Sequence, residues 1–127
     1  MRRRELFLVV EDFEDSRFMM RRLLEMAGYN VVEATDGEQA VRLALEERPA
    51  VILMDLSLPK LDGLSATRKI RKQLSHVPIV AVSAHDGPDS RAEALAAGCD
   101  EYVTKPIDFD QLNNLLGRFV KKTRSAR

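Results

Sequence analysis

Short, continuous apolar runs alternate along this chain with longer segments of helical period. Continuous runs of Val, Ile and Leu are typical of strands that are covered on both faces of a sheet. They occupy residues 6–10, 29–34, 51–54 and 77–82, the second being the weakest, and a fifth strand is expected to end near Thr104. The pattern therefore predicts five strands.

The segments between these runs predict helices, because their apolar residues recur at spacings that share one helix face. The last segment shows this best, with apolar residues at i, i+3, i+4, i+7 and i+8. The residues of helical spacing are, in chain order, Phe18, Met19, Leu23, Leu24 and Met26; Ala40, Val41, Ala44 and Leu45; Leu64, Thr67, Arg68, Ile70 and Leu74, in a less clearly amphipathic helix; Ala92, Leu95 and Ala96, in a short one; and Leu112, Leu115, Leu116, Phe119 and Val120.

Helix-boundary residues support the same division. Asp36 and Asp108 are each followed three residues later by glutamine, a spacing typical of a capped helix start. Gly28 and Gly98 suit helix ends that need a positive φ angle. Pro88 fits a first helical turn, where no backbone donor is required.

Strict alternation of strand and helix predicts an α/β fold with one doubly wound parallel sheet of five strands and five helices. Right-handed crossovers favour the strand order 2-1-3-4-5, as in flavodoxin-like folds. We expect a single domain over residues 1–127, with its core in residues 6–120 and a solvated basic tail at 121–127.

Composition limits the classes of function. The 127 residues are 45% hydrophobic and 31% charged, which is typical of a globular domain. Twenty basic residues balance twenty acidic ones, so no overall charge favours nucleic acid. No apolar run reaches the roughly 20 residues that span a bilayer, and the one cysteine, Cys99, cannot form an internal disulfide. We expect a cytoplasmic protein without membrane insertion.

Reactive side chains follow the strands whose carboxyl ends should meet at one edge of the sheet. Glu11 and Asp12 follow the first strand, Asp55 the third, Ser83 the fourth and Lys105 the fifth. Clustered carboxylates repel one another unless a cation intervenes, and oxygen ligands favour Mg²⁺ or Mn²⁺. Asp55 is the best candidate nucleophile for phosphoryl transfer, with a lysine and a hydroxyl to neutralise the phosphoryl oxygens.

Each residue also has a purely structural interpretation. Glu11 or Asp12 alone could cap the next helix, since acidic residues favour helix starts. Lys105 alone could be a solvated surface lysine, and Ser83 a loop hydroxyl. Asp55 is harder to explain in this way, because it directly follows four apolar residues, where an unpaired charge is costly.

As a set, these motifs resemble the receiver domain of bacterial two-component response regulators over essentially residues 6–120. The resemblance rests on the acidic pair Glu11-Asp12, the segment 54–59 (MDLSLP) with Asp62-Gly63, the strand end Val82-Ser83-Ala84, and the run from Ala97-Gly98 through Tyr102 to Lys105-Pro106.

The resemblance implies that Asp55 accepts phosphate from a histidine kinase or a histidine phosphotransfer protein. It implies that Asp12, Asp55 and the backbone carbonyl of Ser57 bind Mg²⁺ directly, and that Glu11 acts through water. Lys105 would hold the phosphoryl group.

On phosphorylation, by the same resemblance, Ser83 would turn toward the phosphate while Tyr102 swings inward. The face formed by the fourth helix, fifth strand and fifth helix would report the change to a downstream protein. Ser57 and His85 flank the expected path of attacking water and are candidates for tuning the phosphate's lifetime, although His85 also suits an exposed loop.

Several alternatives stay open at this point. We expect a stand-alone switch that is not an enzyme on other substrates, makes no direct nucleic-acid contact, and is a monomer or a phosphorylation-dependent dimer. The chain could instead come from a hybrid histidine kinase or a DNA-binding regulator. A Mg²⁺-dependent phosphatase with an aspartyl nucleophile and a flavodoxin-like cofactor carrier fit the first loop less well, since they use differently spaced aspartates or a phosphate-binding loop.

Overall fold

The computed structural model describes residues 5–85 and 87–125, with side chains as far as residue 120. Five strands and five helices alternate without exception along this part of the chain. The strands are β1 (Leu6–Val10), β2 (Asn30–Ala34), β3 (Val51–Asp55), β4 (Ile79–Ser83) and β5 (Glu101–Thr104). The helices are α1 (Glu14–Met26), α2 (Gly37–Glu47), α3 (Gly63–Gln73), α4 (Pro88–Ala97) and α5 (Phe109–Ser125).

All strand pairs are parallel, and their order is β2-β1-β3-β4-β5. The predicted α/β fold and strand order are confirmed. Since each helix returns the chain to the same edge, the carboxyl ends of all five strands lie together. The central strands β1, β3 and β4 therefore bring the loops that follow them side by side.

Two hydrophobic clusters cover the two faces of the sheet. Alternate strand residues, such as Leu8 and Ile52, pack with α2, α3 and α4 on one face. Their neighbours Phe7 and Leu53 pack with α1 and α5 on the other face. Both faces of β3 and β4 are consequently buried, which explains why these strands are continuous apolar runs.

The helix boundaries follow the predicted capping residues. Asp36 accepts a 2.8 Å hydrogen bond from the Gln39 backbone N–H at the start of α2. Asp108 does the same for Gln111, at 3.2 Å, at the start of α5. Gly98 ends α4 with a φ of 115°. The α5 helix continues to Ser125, so the predicted tail begins inside a helix, while the side chains of 121–127 lie outside the described residues.

Helical spacing picks out the buried residues of α1 only in part and those of α4 not at all. Phe18, Met19 and Met26 are exposed, and the sheet is covered by Met20 and Leu24. On α4 the buried residues are Ala94 and Ala97, whereas Ala92, Leu95 and Ala96 are exposed. When a helix has apolar residues on more than one face, a spacing of three or four residues fits each of those faces. Periodicity alone therefore does not tell which face packs on the sheet.

Among residues 5–85 and 87–125, no helix combines the length and the apolar character needed to cross a membrane.

Candidate functional site

Asp55 ends β3 with its carboxylate almost fully buried, at 5% exposure. One carboxylate oxygen, Oδ1, accepts a 2.9 Å hydrogen bond from the Ser57 backbone N–H. The other, Oδ2, accepts a 3.2 Å hydrogen bond from the Lys105 ammonium. A buried charge needs such partners, and both oxygens of Asp55 are thereby held in a fixed orientation.

The acidic loop after β1 lies beside Asp55 because β1 pairs directly with β3. One oxygen from each of Glu11, Asp12 and Asp55 lies within 4.8 Å of the others. Glu11 is buried and Asp12 is exposed. Neither caps α1, whose N-cap position is Phe13 and has no side-chain cap. The capping interpretation of this acidic pair therefore does not account for its position.

The donor set fits a hard divalent cation. It consists of three carboxylates, with no imidazole or thiol in the same group. Carboxylate oxygens are the ligands that Mg²⁺ and Mn²⁺ prefer. Ser57, two residues beyond Asp55, is exposed and places a backbone carbonyl next to this group along the chain. Glu11, Asp12 and Asp55 are thus residues of this chain that could hold such an ion.

The Lys105 ammonium reaches the site from the residue that follows β5. It donates at 3.1 Å to Glu11 Oε1 and at 3.2 Å to Asp55 Oδ2. Partial burial lowers the pKa of Lys105, but the hydrogen bond to Glu11 and the charge of Asp55 more than compensate, so the pKa of this amine is raised. At neutral pH the group is therefore a full ammonium.

Ser83 ends β4 with its side chain buried at 3% exposure. Its hydroxyl oxygen accepts a 3.1 Å hydrogen bond from the His85 backbone N–H. A serine hydroxyl can accept and donate at the same time, so this bond leaves the proton of Ser83 for another acceptor. His85 is exposed, and its described hydrogen bonds are made by its backbone.

Tyr102 on β5 lies with its ring inside the protein, at 5% exposure. Its hydroxyl donates a 2.7 Å hydrogen bond to the His85 carbonyl. The Arg91 guanidinium of α4 lies 5.0 Å from the ring centroid, within the range of a cation–π contact. The inward position that the resemblance associates with phosphorylation is therefore already adopted in this structure.

Two charged residues that support the site were not predicted. Arg17 on α1 donates at 3.2 Å to the Glu11 backbone carbonyl and pairs at 3.2 Å with Glu33 on β2. The sequence does contain a signal for this pair, since Glu33 is the one charged residue in the predicted strand at 29–34. Such a residue needs a basic partner on the helix that covers it.

The comparison with protein families identifies residues 7–117 as a response regulator receiver domain. Among curated proteins, the alkaline phosphatase synthesis transcriptional regulatory protein PhoP of Bacillus subtilis is 34% identical over 119 residues, covering 94% of this chain and 50% of that protein. The transcriptional regulatory protein PrrA of Mycobacterium tuberculosis is 38% identical over 105 residues, or 83% of this chain and 45% of that protein. This chain spans about half the length of these relatives.

Solved structures show the same fold. The receiver domain of the Francisella response regulator 1452 matches with a TM-score of 0.89 at 31% identity, covering 94% of this chain and 98% of that one. The receiver domain of the sensor histidine kinase PA1611 of Pseudomonas aeruginosa, which has a magnesium ion coordinated in its active-site cleft, matches with a TM-score of 0.87 at 39% identity, covering 94% and 99%.

The similar proteins thus include transcriptional regulatory proteins and a sensor histidine kinase. What they share with this chain is the receiver domain, which the family match covers almost from end to end. This chain belongs to the family of response regulator receiver domains.

Proposed function

We propose that this chain is a signalling switch that accepts a phosphoryl group on Asp55 from a phosphohistidine of a kinase or phosphotransfer protein. The observation that carries the proposal is the buried Asp55 carboxylate, held by one backbone donor and one ammonium beside two further carboxylates. This arrangement fixes the nucleophile and supplies positive charge where phosphoryl oxygens would lie.

The transfer balances as a simple displacement. A carboxylate oxygen of Asp55 forms a bond to phosphorus and the bond from phosphorus to the imidazole nitrogen breaks. That nitrogen keeps the electron pair, and because the other ring nitrogen of the donor histidine carries a proton, neutral imidazole leaves. The nucleophile is a carboxylate oxygen, which has no proton to lose during the attack, so no general base takes part. The chain acts on its own Asp55 alone, which makes it a switch and not an enzyme with a separate substrate.

Asp12, Asp55 and the Ser57 carbonyl are the proposed direct holders of Mg²⁺, and Mn²⁺ suits the same donors. When bound, such an ion supplies charge neutralisation between the carboxylates and the incoming phosphoryl oxygens. Asp12 suits this role because it is exposed and has no hydrogen-bond partner among the described residues. Its oxygens therefore need not give up a partner inside the protein.

Lys105 and Ser83 are the proposed partners of the transferred group. The Lys105 ammonium already contacts Asp55 at 3.2 Å, so it would need only a small shift to reach an oxygen on the new phosphoryl group. Ser83 lies at the end of the neighbouring strand, with its hydroxyl proton uncommitted to the His85 bond. Ser57 and His85 stand at exposed positions in the adjoining loops, where side chains can tune access of water.

The proposed output surface is the face formed by α4, β5 and α5. A cleft of about 340 Å³ opens there, and Tyr102 forms part of its wall. Arg91, Val103 and Leu115 contribute from the three elements. Because Tyr102 also contacts the His85 carbonyl next to Ser83, this surface is connected to the site. A downstream protein, or a second copy of the chain, is the expected occupant, with no direct nucleic-acid contact.

Phosphorylation by acetyl phosphate with Mg²⁺ tests the proposal. Intact-mass measurement should show one added phosphoryl group that survives acid and is lost in base, and Asp55→Asn should take up none. Asp15→Asn is the matched control, since Asp15 is an exposed carboxylate in the first turn of α1. Equal uptake by the Asp55 variant would contradict the proposal.

A further inference from the structure

The acidic loop (residues 11–13) holds two carboxylates of the site but leaves one of them without a side-chain anchor. The Asp12 carboxylate is exposed and has no hydrogen-bond partner among residues 5–85 and 87–125. Phe13, the N-cap position of α1, provides no side-chain cap for the helix. Carboxylates that share an ion bind it best when they are held in place beforehand. Any such hold on Asp12 must therefore come through its backbone.

Both backbone groups of Glu11, the residue before Asp12, are tied to the end of β2. The Glu11 N–H donates at 3.0 Å to the Ala34 carbonyl. The Glu11 carbonyl accepts at 3.2 Å from Nη1 of Arg17, and Nε of the same guanidinium donates at 3.2 Å to Glu33 Oε1. Arg17 therefore bridges the acidic loop to β2, the strand that pairs with β1.

The carbonyl that Arg17 holds belongs to the peptide unit that leads to Asp12. Because this unit is planar, a fixed carbonyl direction also fixes the Asp12 nitrogen and α-carbon. The Arg17 side chain is 18% exposed, and its planar guanidinium contacts two acceptors at once. Without these contacts the peptide unit could turn, and Asp12 would move with it.

We propose that Arg17 is a positioning residue for the metal site. By holding the Glu11 carbonyl, it keeps the Asp12 carboxylate beside those of Glu11 and Asp55. The inference deepens the proposed function and rests on it, because it assumes that these carboxylates hold a cation. In this role Arg17 contacts neither the ion nor the phosphoryl group. The sign of its effect is diagnostic: removal of a positive charge near a cation site by itself favours the cation, whereas loss of positioning disfavours it.

The test measures the dissociation constant of Mg²⁺ from the amide resonances of Asp12 and Ser57 in nitrogen-15-labelled protein. We expect Arg17→Met, which replaces the guanidinium with a neutral side chain that also favours helices, to raise this constant about fivefold, the factor that corresponds to one net hydrogen bond. Arg21→Met is the matched control, because Arg21 on the same helix carries the same charge and pairs with Glu33 at 2.7 Å. No contact between Arg21 and the acidic loop is described within residues 5–85 and 87–125, so its variant should stay within about twofold of wild type.

The wild-type protein provides a second measurement. Coupling between two events is reciprocal, so if the Arg17 bridge favours Mg²⁺, then Mg²⁺ must favour the bridge by the same factor. The Nε proton of Arg17 is donated to Glu33 at 3.2 Å and exchanges with water when the bridge opens. Saturation with Mg²⁺ should therefore slow this exchange about fivefold. A cation that merely repelled the guanidinium would accelerate it.

Each outcome decides the inference. A dissociation constant of Arg17→Met that equals or falls below that of wild type would overturn it, and so would an equal rise in Arg21→Met. If Arg17→Met does not fold, the wild-type exchange rate decides, since a rate that Mg²⁺ leaves unchanged or raises excludes the positioning role. If Mg²⁺ shifts no amide of the wild-type site, the metal site of the proposed function fails. The hold on the loop is then decided without metal by the Phe13 N–H, which donates to Glu11 Oε2 at 3.1 Å. Its exchange should be about threefold faster or more in Arg17→Met, and an unchanged rate overturns the hold.

Discussion

The hydroxyl of Tyr102 donates a 2.7 Å hydrogen bond to the backbone carbonyl of His85, tying β5 to the segment that follows β4. The same His85 uses its N–H to reach the Ser83 hydroxyl at 3.1 Å. Tyr102 on β5, His85 and Ser83 at the end of β4 are thus joined in one chain of hydrogen bonds. A movement of Ser83 toward a phosphoryl group would therefore be transmitted to Tyr102 through His85.

Removing this hydroxyl should destabilise the protein measurably. Tyr102→Phe keeps the buried ring and its contact with Arg91 but leaves the His85 carbonyl without its donor. We expect the free energy of unfolding to fall by about 1 kcal/mol, the usual net value of one hydrogen bond. Urea unfolding followed by circular dichroism measures the change.

Tyr29→Phe is the matched control for this variant. The Tyr29 ring stacks on Phe7 with centroids 4.4 Å apart, and its hydroxyl has no hydrogen-bond partner among the described residues. We expect its free energy of unfolding to stay within about 0.5 kcal/mol of wild type. Equal losses in the two variants would show that the His85 contact contributes nothing particular.

Replacing Arg71 with lysine should destabilise the protein. Its guanidinium donates to three backbone carbonyls at the amino-terminal edge of the sheet and also contacts Asp100 at 2.7 Å. The three carbonyls belong to Leu74, Val77 and Gly98. A lysine ammonium cannot match this forked geometry, so Arg71→Lys should lower the free energy of unfolding by about 2 kcal/mol.

Arg68→Lys provides the comparison on the same helix. Arg68 is exposed, and no hydrogen bond or ion pair is described for it within residues 5–85 and 87–125. Its replacement should leave the thermal midpoint almost unchanged, whereas Arg71→Lys should lower it by several degrees in the same scanning calorimetry series. A similar midpoint for both variants would refute the special role of Arg71.

Two glycines should respond to alanine with opposite signs. A methyl group on Gly37, in the first turn of α2, would collide with the Leu61 backbone carbonyl. Gly117 in α5 has open space where a methyl group would lie. We expect Gly37→Ala to cost about 2 kcal/mol or more from overpacking, and Gly117→Ala to stabilise by about 0.5 to 1 kcal/mol through helix propensity. Denaturant midpoints with equal slopes would give both values.

The helix cap of α3 should contribute to the pH dependence of stability. Asp62 accepts hydrogen bonds from the Ser65 N–H at 2.9 Å and the Ser65 hydroxyl at 3.0 Å. The backbone bond is the main reason that the pKa of Asp62 lies below its ordinary value of 3.8. A lowered folded-state pKa contributes stability that is present above the unfolded-state value and lost as pH falls through the folded-state value.

At neutral pH, Asp62→Ala should therefore cost about 1 kcal/mol, and Asp62→Asn less, because asparagine keeps an acceptor oxygen. Below the unfolded-state value of 3.8 the difference between wild type and Asp62→Asn should shrink as the carboxylate takes up a proton. Urea unfolding across the acid range checks this. A difference that grows on acidification would contradict the sign.

The fold was predictable because its signals are local and repeated. The strands β1, β3 and β4 are apolar runs, and the helix starts at Asp36 and Asp108 are each marked by a capping residue. Which face of α1 packs on the sheet was not predictable, since the exposed Phe18 and Met19 are as apolar as the buried Met20. Arg17 and Arg21 of α1 both pair with Glu33 on β2, and helical periodicity does not reveal such a partner.

The site was predictable in its membership but not in its contacts. Strand order places the residues at the ends of β1, β3, β4 and β5 at one edge of the sheet. The proximity of Asp12, Asp55 and Lys105 could therefore be predicted from the sequence. Spacing says nothing of side-chain rotamers. The inward ring of Tyr102, and the sharing of the Lys105 ammonium with Glu11, depend on distances of a few ångströms across separate strands.

Because the five strands run in one direction, the two edges of the sheet formed by their beginnings and by their ends differ in what can be changed there. Arg71 donates to the Val77 and Gly98 carbonyls at the beginnings of β4 and β5, so we expect changes there to affect stability more than the site. Asp55 lies at the opposite edge, where β3 ends. Ser75 is an exposed residue in the turn before β4. A fluorophore or affinity tag attached there would therefore lie at the edge of the sheet opposite Asp55.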